Sequence, residues 1–149
     1  MKNKKNIKKI LLALVIVVCG FLVWTKTYSY DNDKACEYIT RHSYAHSHTR
    51  CVFFVARAMW AGGCPMVILM PNGYFTAMKW YGYRVVSENG DTNYVPQKGD
   101  IVVLSRTKRH FWGHIAMYTG RQWISDFKQK RMNPYRDDVP YKVYRRNTR

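Results

Sequence analysis

The hydrophobic period changes once along this chain, and that change limits the fold more than any other feature. Val52, Val55, Ala56 and Met59 follow the i, i+3, i+4, i+7 spacing of a buried helical face. Gly62-Gly63 ends that helix and Pro65 prevents its return, so roughly eleven helical residues are predicted, with Cys51 in the first turn. Ser47 and Thr49 are its candidate caps. Residues 73–81 read as a second helix with Gly82 as the stop. Beyond Tyr83 the helical spacing is gone. Glu88-Asn89-Gly90-Asp91 reads as a turn, and Ile101-Val102-Val103-Leu104 as a short buried strand. His114 to Tyr118 reads as the next strand and Thr119-Gly120 as a tight turn. Gln122 to Phe127 would be a third strand, antiparallel to the second, and Tyr141 to Tyr144 a last one. Helices first and an antiparallel meander after them predict an α+β domain, with N-terminal helices packed on a small antiparallel sheet.

Two segments precede that domain. Lys2, Lys4, Lys5, Lys8 and Lys9 open the chain, and Ile10 to Trp24 is an apolar run of fifteen residues without a charge. This is the pattern of a secretory signal or a membrane anchor through residues 10–25. The run is short for a span, which takes about 20 residues, and long for a signal. The lysines should stay in the cytoplasm and the domain should cross, to act outside the cytoplasm or in the periplasm. Residues 1–30 are therefore the export segment and 31–149 the domain, of which 31–50 are polar and rich in His and Tyr.

The formal net charge is +16, and residues 30–149 still carry 19 basic against 9 acidic side chains. Such an excess favours an anionic partner: nucleic acid, anionic lipid or an acidic wall polymer. Export argues against nucleic acid. Cys36, Cys51 and Cys64 would then meet an oxidising compartment, and three is an odd number. A Cys36–Cys64 disulfide would leave Cys51 free as a nucleophile.

A thiol attacks only as thiolate, and the first turn of a helix favours an anion. Cys51 has that place, His114 opens a strand after a glycine, and Asp126 lies twelve residues further on. A hairpin turning at Thr119-Gly120 brings His114 opposite position 125 or 126, within reach of Asp126, with Ser125 the weaker choice. Taken singly, a helical cysteine is more often a small core residue and a strand histidine more often structural. Taken in order, they form the constellation of a nucleophile, its base and the group that orients the base.

Ser47-His48-Thr49-Arg50-Cys51-Val52-Phe53-Phe54-Val55-Ala56-Arg57-Ala58 resembles the nucleophile helix of NlpC-type and CHAP (cysteine, histidine-dependent amidohydrolase/peptidase) enzymes. Pro96-Gln97-Lys98-Gly99-Asp100-Ile101-Val102 is similar to their strand entry, and Gly113-His114-Ile115-Ala116-Met117-Tyr118 to their histidine strand. Trp123-Ile124-Ser125-Asp126-Phe127-Lys128-Gln129 resembles the strand that follows, especially in amidase effectors of interbacterial secretion systems. The resemblance implies a papain-like fold and hydrolysis of peptidoglycan amides without a cofactor. It implies Cys51, His114 and Asp126 as catalytic residues. It also implies an upstream aromatic near the nucleophile, for which Tyr38 and Tyr44 both qualify. A monomer, with an inhibitor or immunity protein as a partner, fits the same expectation.

Other features keep two readings. Trp112 closes a basic aromatic loop (Lys108-Arg109-His110-Phe111) that is either a solvated tip or a cleft wall stacking on sugar or stem peptide. His42, His46 and His48 form a polar loop, with zinc binding the lesser reading. Tyr74, Trp80, Tyr81 and Tyr83 read as core, and Arg145, Arg146 and Arg149 as a frayed basic tail. The rival functions are a non-catalytic basic envelope module that binds wall polymer or anionic lipid, and a thiol acyltransferase. A Cys51 that alkylates far faster than a free thiol would favour an enzyme.

Overall fold

The computed structural model describes residues 2–27, 29–64, 66 and 70–146. The helices are α1 (Lys2–Thr27), α2 (Asn32–His42), α3 (Cys51–Ala61) and α4 (Pro71–Trp80). The strands are β1 (Tyr83–Glu88), β2 (Ile101–Leu104), β3 (His114–Tyr118), β4 (Trp123–Ile124), β5 (Lys128–Gln129) and β6 (Tyr141–Arg146). They form one six-stranded sheet, ordered β1-β6-β2-β3-β4-β5, with every pairing antiparallel. The expected α+β arrangement is present, with helices α2, α3 and α4 on one face of the sheet.

Strand alternation explains the continuous apolar run of β2. Ile101 and Val103, with Ile115 and Met117 of β3, join Ile39, Val55, Met59 and Met78 under the helices. Val102 and Leu104, with Ala116, face the other way into a second cluster with Trp123, Val139 and Val143. Both faces are covered, so no position needs a polar residue. Tyr74 and Tyr83 are core, as expected, whereas Trp80 is exposed.

Two elements are added to those expected, and one expectation changes. Residues 32–42 are helical: Asp31 caps α2 by accepting from the Lys34 N–H, and Ala35, Cys36 and Ile39 are its buried side chains. The residues after Tyr83 form a strand, which pairs with β6. Arg145 and Arg146 are not a frayed tail but the end of β6; Arg149 lies outside the described residues. Arg145 reaches the fully buried Asp100 with two bonds of 2.7 Å, and Asp100 also accepts from the Tyr94 hydroxyl (2.6 Å) and the Gln97 N–H (2.8 Å). The Gly-Asp strand entry is thus a structural anchor that ties β2 to β6.

α1 is long and apolar enough to cross a membrane by length and composition: Asn6–Val23 spans 18 residues, has a mean hydropathy of 2.3, and is not buried against the domain. The Phe21 ring lies edge-on to Tyr81, with centroids 6.4 Å apart.

Candidate active site

Cys51 is the first residue of α3, as the sequence predicts, and it is half-buried. The buried stripe of that helix is Phe54, Val55, Ala58 and Met59. Val52 and Ala56, expected in the core, line a groove that begins at Cys51, with Val52 also packed in part against the core. Neither Ser47 nor Thr49 caps the helix; Arg50 holds the cap position without a side-chain bond. The first-turn N–H groups are therefore left to face the sulfur. The backbone N–H groups of Ile115, Val52 and Cys51 itself all favour thiolate, but burial outweighs them, Asp126 adds its negative charge, and the thiol is pushed up to about 11. Cys36 is a free thiol, so the Cys36–Cys64 disulfide that the cysteine count leaves open is not formed; Cys36 packs its sulfur 3.9 Å from that of Met117.

Asp126 is fully buried, and its bonds go to the loop before α3 rather than to His114. One carboxylate oxygen accepts from the N–H of His48 (2.6 Å) and of Arg50 (3.1 Å), and from the Ser47 hydroxyl at 3.5 Å. Thr49, between them, sits at φ +57°, a left-handed conformation that a β-branched residue rarely adopts. Asp126 clamps the backbone on either side of this strained residue, immediately ahead of the nucleophile.

The reason lies in the hairpin. Met117 pairs with Ile124 and Tyr118 with Trp123, one residue beyond the register expected. The strand foreseen over 122–127 breaks after Ile124, residues 125–127 turn, and β5 folds back on β4 with Gln129 opposite Trp123. That turn aims Asp126 at the loop 47–50 and brings Gln129 to His114. The Gln129 side-chain nitrogen lies within hydrogen-bond distance of His114 Nε2 and donates to Ser125 Oγ at 3.0 Å, while Ser125 donates to the other oxygen of Asp126 at 3.0 Å. A buried chain His114–Gln129–Ser125–Asp126 results. Sequence reading missed Gln129 because the extra turn has no hydrophobic signature.

His114 is 6% exposed. Burial lowers its imidazole to about 4, with the charge of Asp126 opposing the shift in part. Gly113 makes the approach possible: at φ +71° a Cβ there would stand 2.6 Å from the Leu104 carbonyl oxygen. Tyr135 joins the site from the loop before β6. Its ring lies edge-on to His114 at 6.0 Å and stacks on His110 at 3.5 Å, and its hydroxyl donates to the Gly113 carbonyl. Burial, followed by the charges of Cys51 and Asp126, raises its phenol to about 12.

The chain is similar to solved structures. One is a chain of the type VI native effector-immunity complex Tae3-Tai3 from Ralstonia pickettii, 28% identical, with a TM-score of 0.68, covering 79% of this chain and 100% of that one. The selenomethionine form of the same complex gives 28% identity and a TM-score of 0.66, over 74% of this chain and 98% of that one. No protein-family model matches, and no curated protein matches.

Trp112 lines the groove that begins at Cys51, a space of about 640 Å³, together with Arg50, Phe53, Arg57, Trp60 and Met70. Tyr38 and Tyr44 do not line it. Tyr38 stacks on His42 at 4.1 Å beside a different hollow, and Tyr44 packs on His48 and Phe54 while its backbone pairs with Asp126 and Lys128. Among the described residues no three His, Cys, Asp or Glu side chains converge as they would on a metal, and His42 and His48 are engaged with tyrosines instead.

Proposed function

We propose that this chain is a cysteine amidase that hydrolyses amide bonds in peptidoglycan stem peptides, with Cys51 as nucleophile and His114 as general base and acid. The observation that carries the reading is Cys51 in the first turn of α3, at one end of the groove and beside the Ile115 N–H of β3, the strand that His114 opens. The likeness to a chain from an effector-immunity complex supports the same reading, and supports an inhibitor or immunity protein as a partner. Asp126 completes a Cys-His-Asp site through its charge, which favours the imidazolium of His114.

At rest both partners are neutral, because burial raises the thiol and lowers the imidazole. His114 therefore takes the thiol proton as the sulfur attacks the amide carbonyl, rather than holding it beforehand. The nitrogen that receives it is Nδ1, since Nε2 faces Gln129. For Nδ1 to be free, Nε2 must carry the hydrogen and needs an acceptor. The Gln129 amide oxygen, buried and without a partner, supplies one when the amide turns over. First-turn N–H groups of α3 meet the developing oxyanion. His114 then protonates the leaving amine, and the C–N bond breaks to leave a thioester on Cys51. Water attacks the thioester, gives its proton to His114, and the carboxylate leaves as the thiol reforms.

Residues 10–25 of α1 export or anchor the domain, placing it outside the cytoplasm. The test is the acyl-enzyme. Acid quenching of the full chain on purified peptidoglycan should give a muropeptide adduct by intact mass, absent in Cys51→Ala. A Cys51→Ala protein that still carries the adduct refutes the assignment.

A further inference from the structure

The groove extends from Cys51 along the outer face of α3, and its wall combines two kinds of side chain that rarely stand together without a ligand. Trp60 is 54% exposed, Trp112 61% and Phe53 48%, so large apolar surface lies open to solvent. Interleaved with it are two guanidinium groups, Arg50 and Arg57. Among the described residues neither arginine makes an ion pair; Arg57 lies over the Phe53 ring at 4.3 Å. Asp126 accepts from the Arg50 backbone N–H and makes no ion pair with its guanidinium. Other surface arginines do find acids: Arg41 with Glu37 and Arg109 with Asp137. Among the described residues, Arg50 and Arg57 thus stand beside the nucleophile without an acidic partner, on a wall that is otherwise largely apolar and aromatic.

We infer that this groove recognises a peptide bearing free carboxylates, with Arg57 and Arg50 binding the carboxylates and Trp60 and Trp112 covering the methyl and methylene groups between them. The inference rests on the amidase reading and names the feature of the stem peptide that the site selects. A planar guanidinium matches a carboxylate with two parallel bonds, and an aromatic wall that already stacks on it holds its orientation. A neutral apolar occupant would bury both cations without a counter-charge, which is costly. A peptide whose carboxylates are amidated keeps the shape and loses the charge, so amidation of the substrate is the property this groove would sense.

The experiment uses the full-length chain in detergent micelles, as Cys51→Ala, and two synthetic stem tetrapeptides that differ only in carrying carboxylates or carboxamides. Quenching of tryptophan fluorescence reports binding. The carboxylate peptide should bind about tenfold or more tightly than its amide. Arg57→Gln should shrink that ratio to about threefold or less, and Arg57→Lys should restore part of it. Equal affinities, no binding of either peptide, or a ratio that survives Arg50→Gln with Arg57→Gln overturns the inference. The underlying reading is judged separately, by cleavage with the wild-type chain. Binding with the expected ratio but no cleavage would leave the groove assignment standing and remove the amidase. Cleavage without the ratio would do the reverse.

Discussion

Replacing Asp126 separates two roles that a buried carboxylate beside a histidine can have. If it held the imidazole tautomer directly, Asp126→Asn would cost on the order of 10⁴ in kcat with little change in stability, as carboxylate-to-amide changes do in triads built that way. Its bonds here predict otherwise. An asparagine can keep its oxygen on the His48 and Arg50 N–H groups and turn its amide toward Ser125, so what it loses is charge. Two charge-assisted bonds reduced to neutral ones cost about 1 kcal/mol in total, or a Tm drop of about 3 °C for a domain of this size. Asp126→Ala also removes the acceptor from two N–H groups flanking the strained Thr49, at about 3 kcal/mol and about 10 °C. Turnover on purified peptidoglycan should fall by about tenfold in Asp126→Asn, and by about 10² in Gln129→Leu, which removes the direct contact to His114. The assays are calorimetric unfolding and amine release under saturating substrate. A loss near 10⁴ in Asp126→Asn at unchanged Tm, with Gln129→Leu fully active, would refute the assignment of roles.

Further outcomes follow from the same geometry. His114 has its folded value depressed from 6.5 to about 4, so its contribution to stability is complete above pH 6.5 and is lost as pH falls toward 4. The loss is about 3 kcal/mol, and urea midpoints should show it flattened in His114→Asn. Cys51 is raised from 9.0 to about 11, so stability is lost as pH rises through that window, and alkylation by iodoacetamide climbs toward pH 11 instead of being fast at pH 7, the reverse of the fast thiol by which the sequence alone would mark an enzyme; rapid alkylation at neutral pH would contradict the neutral resting pair. Arg145→Met strands the fully buried Asp100 and should cost about 3–5 kcal/mol in urea unfolding. Gly113→Ala meets both a positive φ and the Leu104 carbonyl, so it should destabilise by about 2 kcal/mol or more and depress kcat by displacing His114; an unchanged kcat would argue that His114 keeps its place without that glycine.

What was legible in the sequence divides by the kind of signal. The helix at Cys51, the strands at Ile101 and His114 and the α+β order came from apolar periodicity, which is strong where one face is buried. α2 was missed because only Ala35, Cys36 and Ile39 bury in eleven residues, too thin a stripe among polar neighbours. Of the expected α3 stripe Val55 and Met59 are buried, while Val52 and Ala56 line the groove, and periodicity cannot tell a groove from a core. The glycine-aspartate entry read as a family mark has its cause in Arg145, 45 residues away, a distance no local pattern spans. Gln129 was hidden for a related reason: β4 and β5 are two residues each, so their turn is set by the Ser125 and Asp126 side chains rather than by hydrophobic alternation.

The central claim is tested most directly by mass spectrometry of muropeptides from purified peptidoglycan treated with the full-length chain. Wild type should release products carrying one new amine and one new free carboxyl for each bond cut, and Cys51→Ala and His114→Ala, both with a native melting transition, should release none. New products from folded Cys51→Ala, or an unchanged muropeptide profile with the wild-type chain, would contradict it.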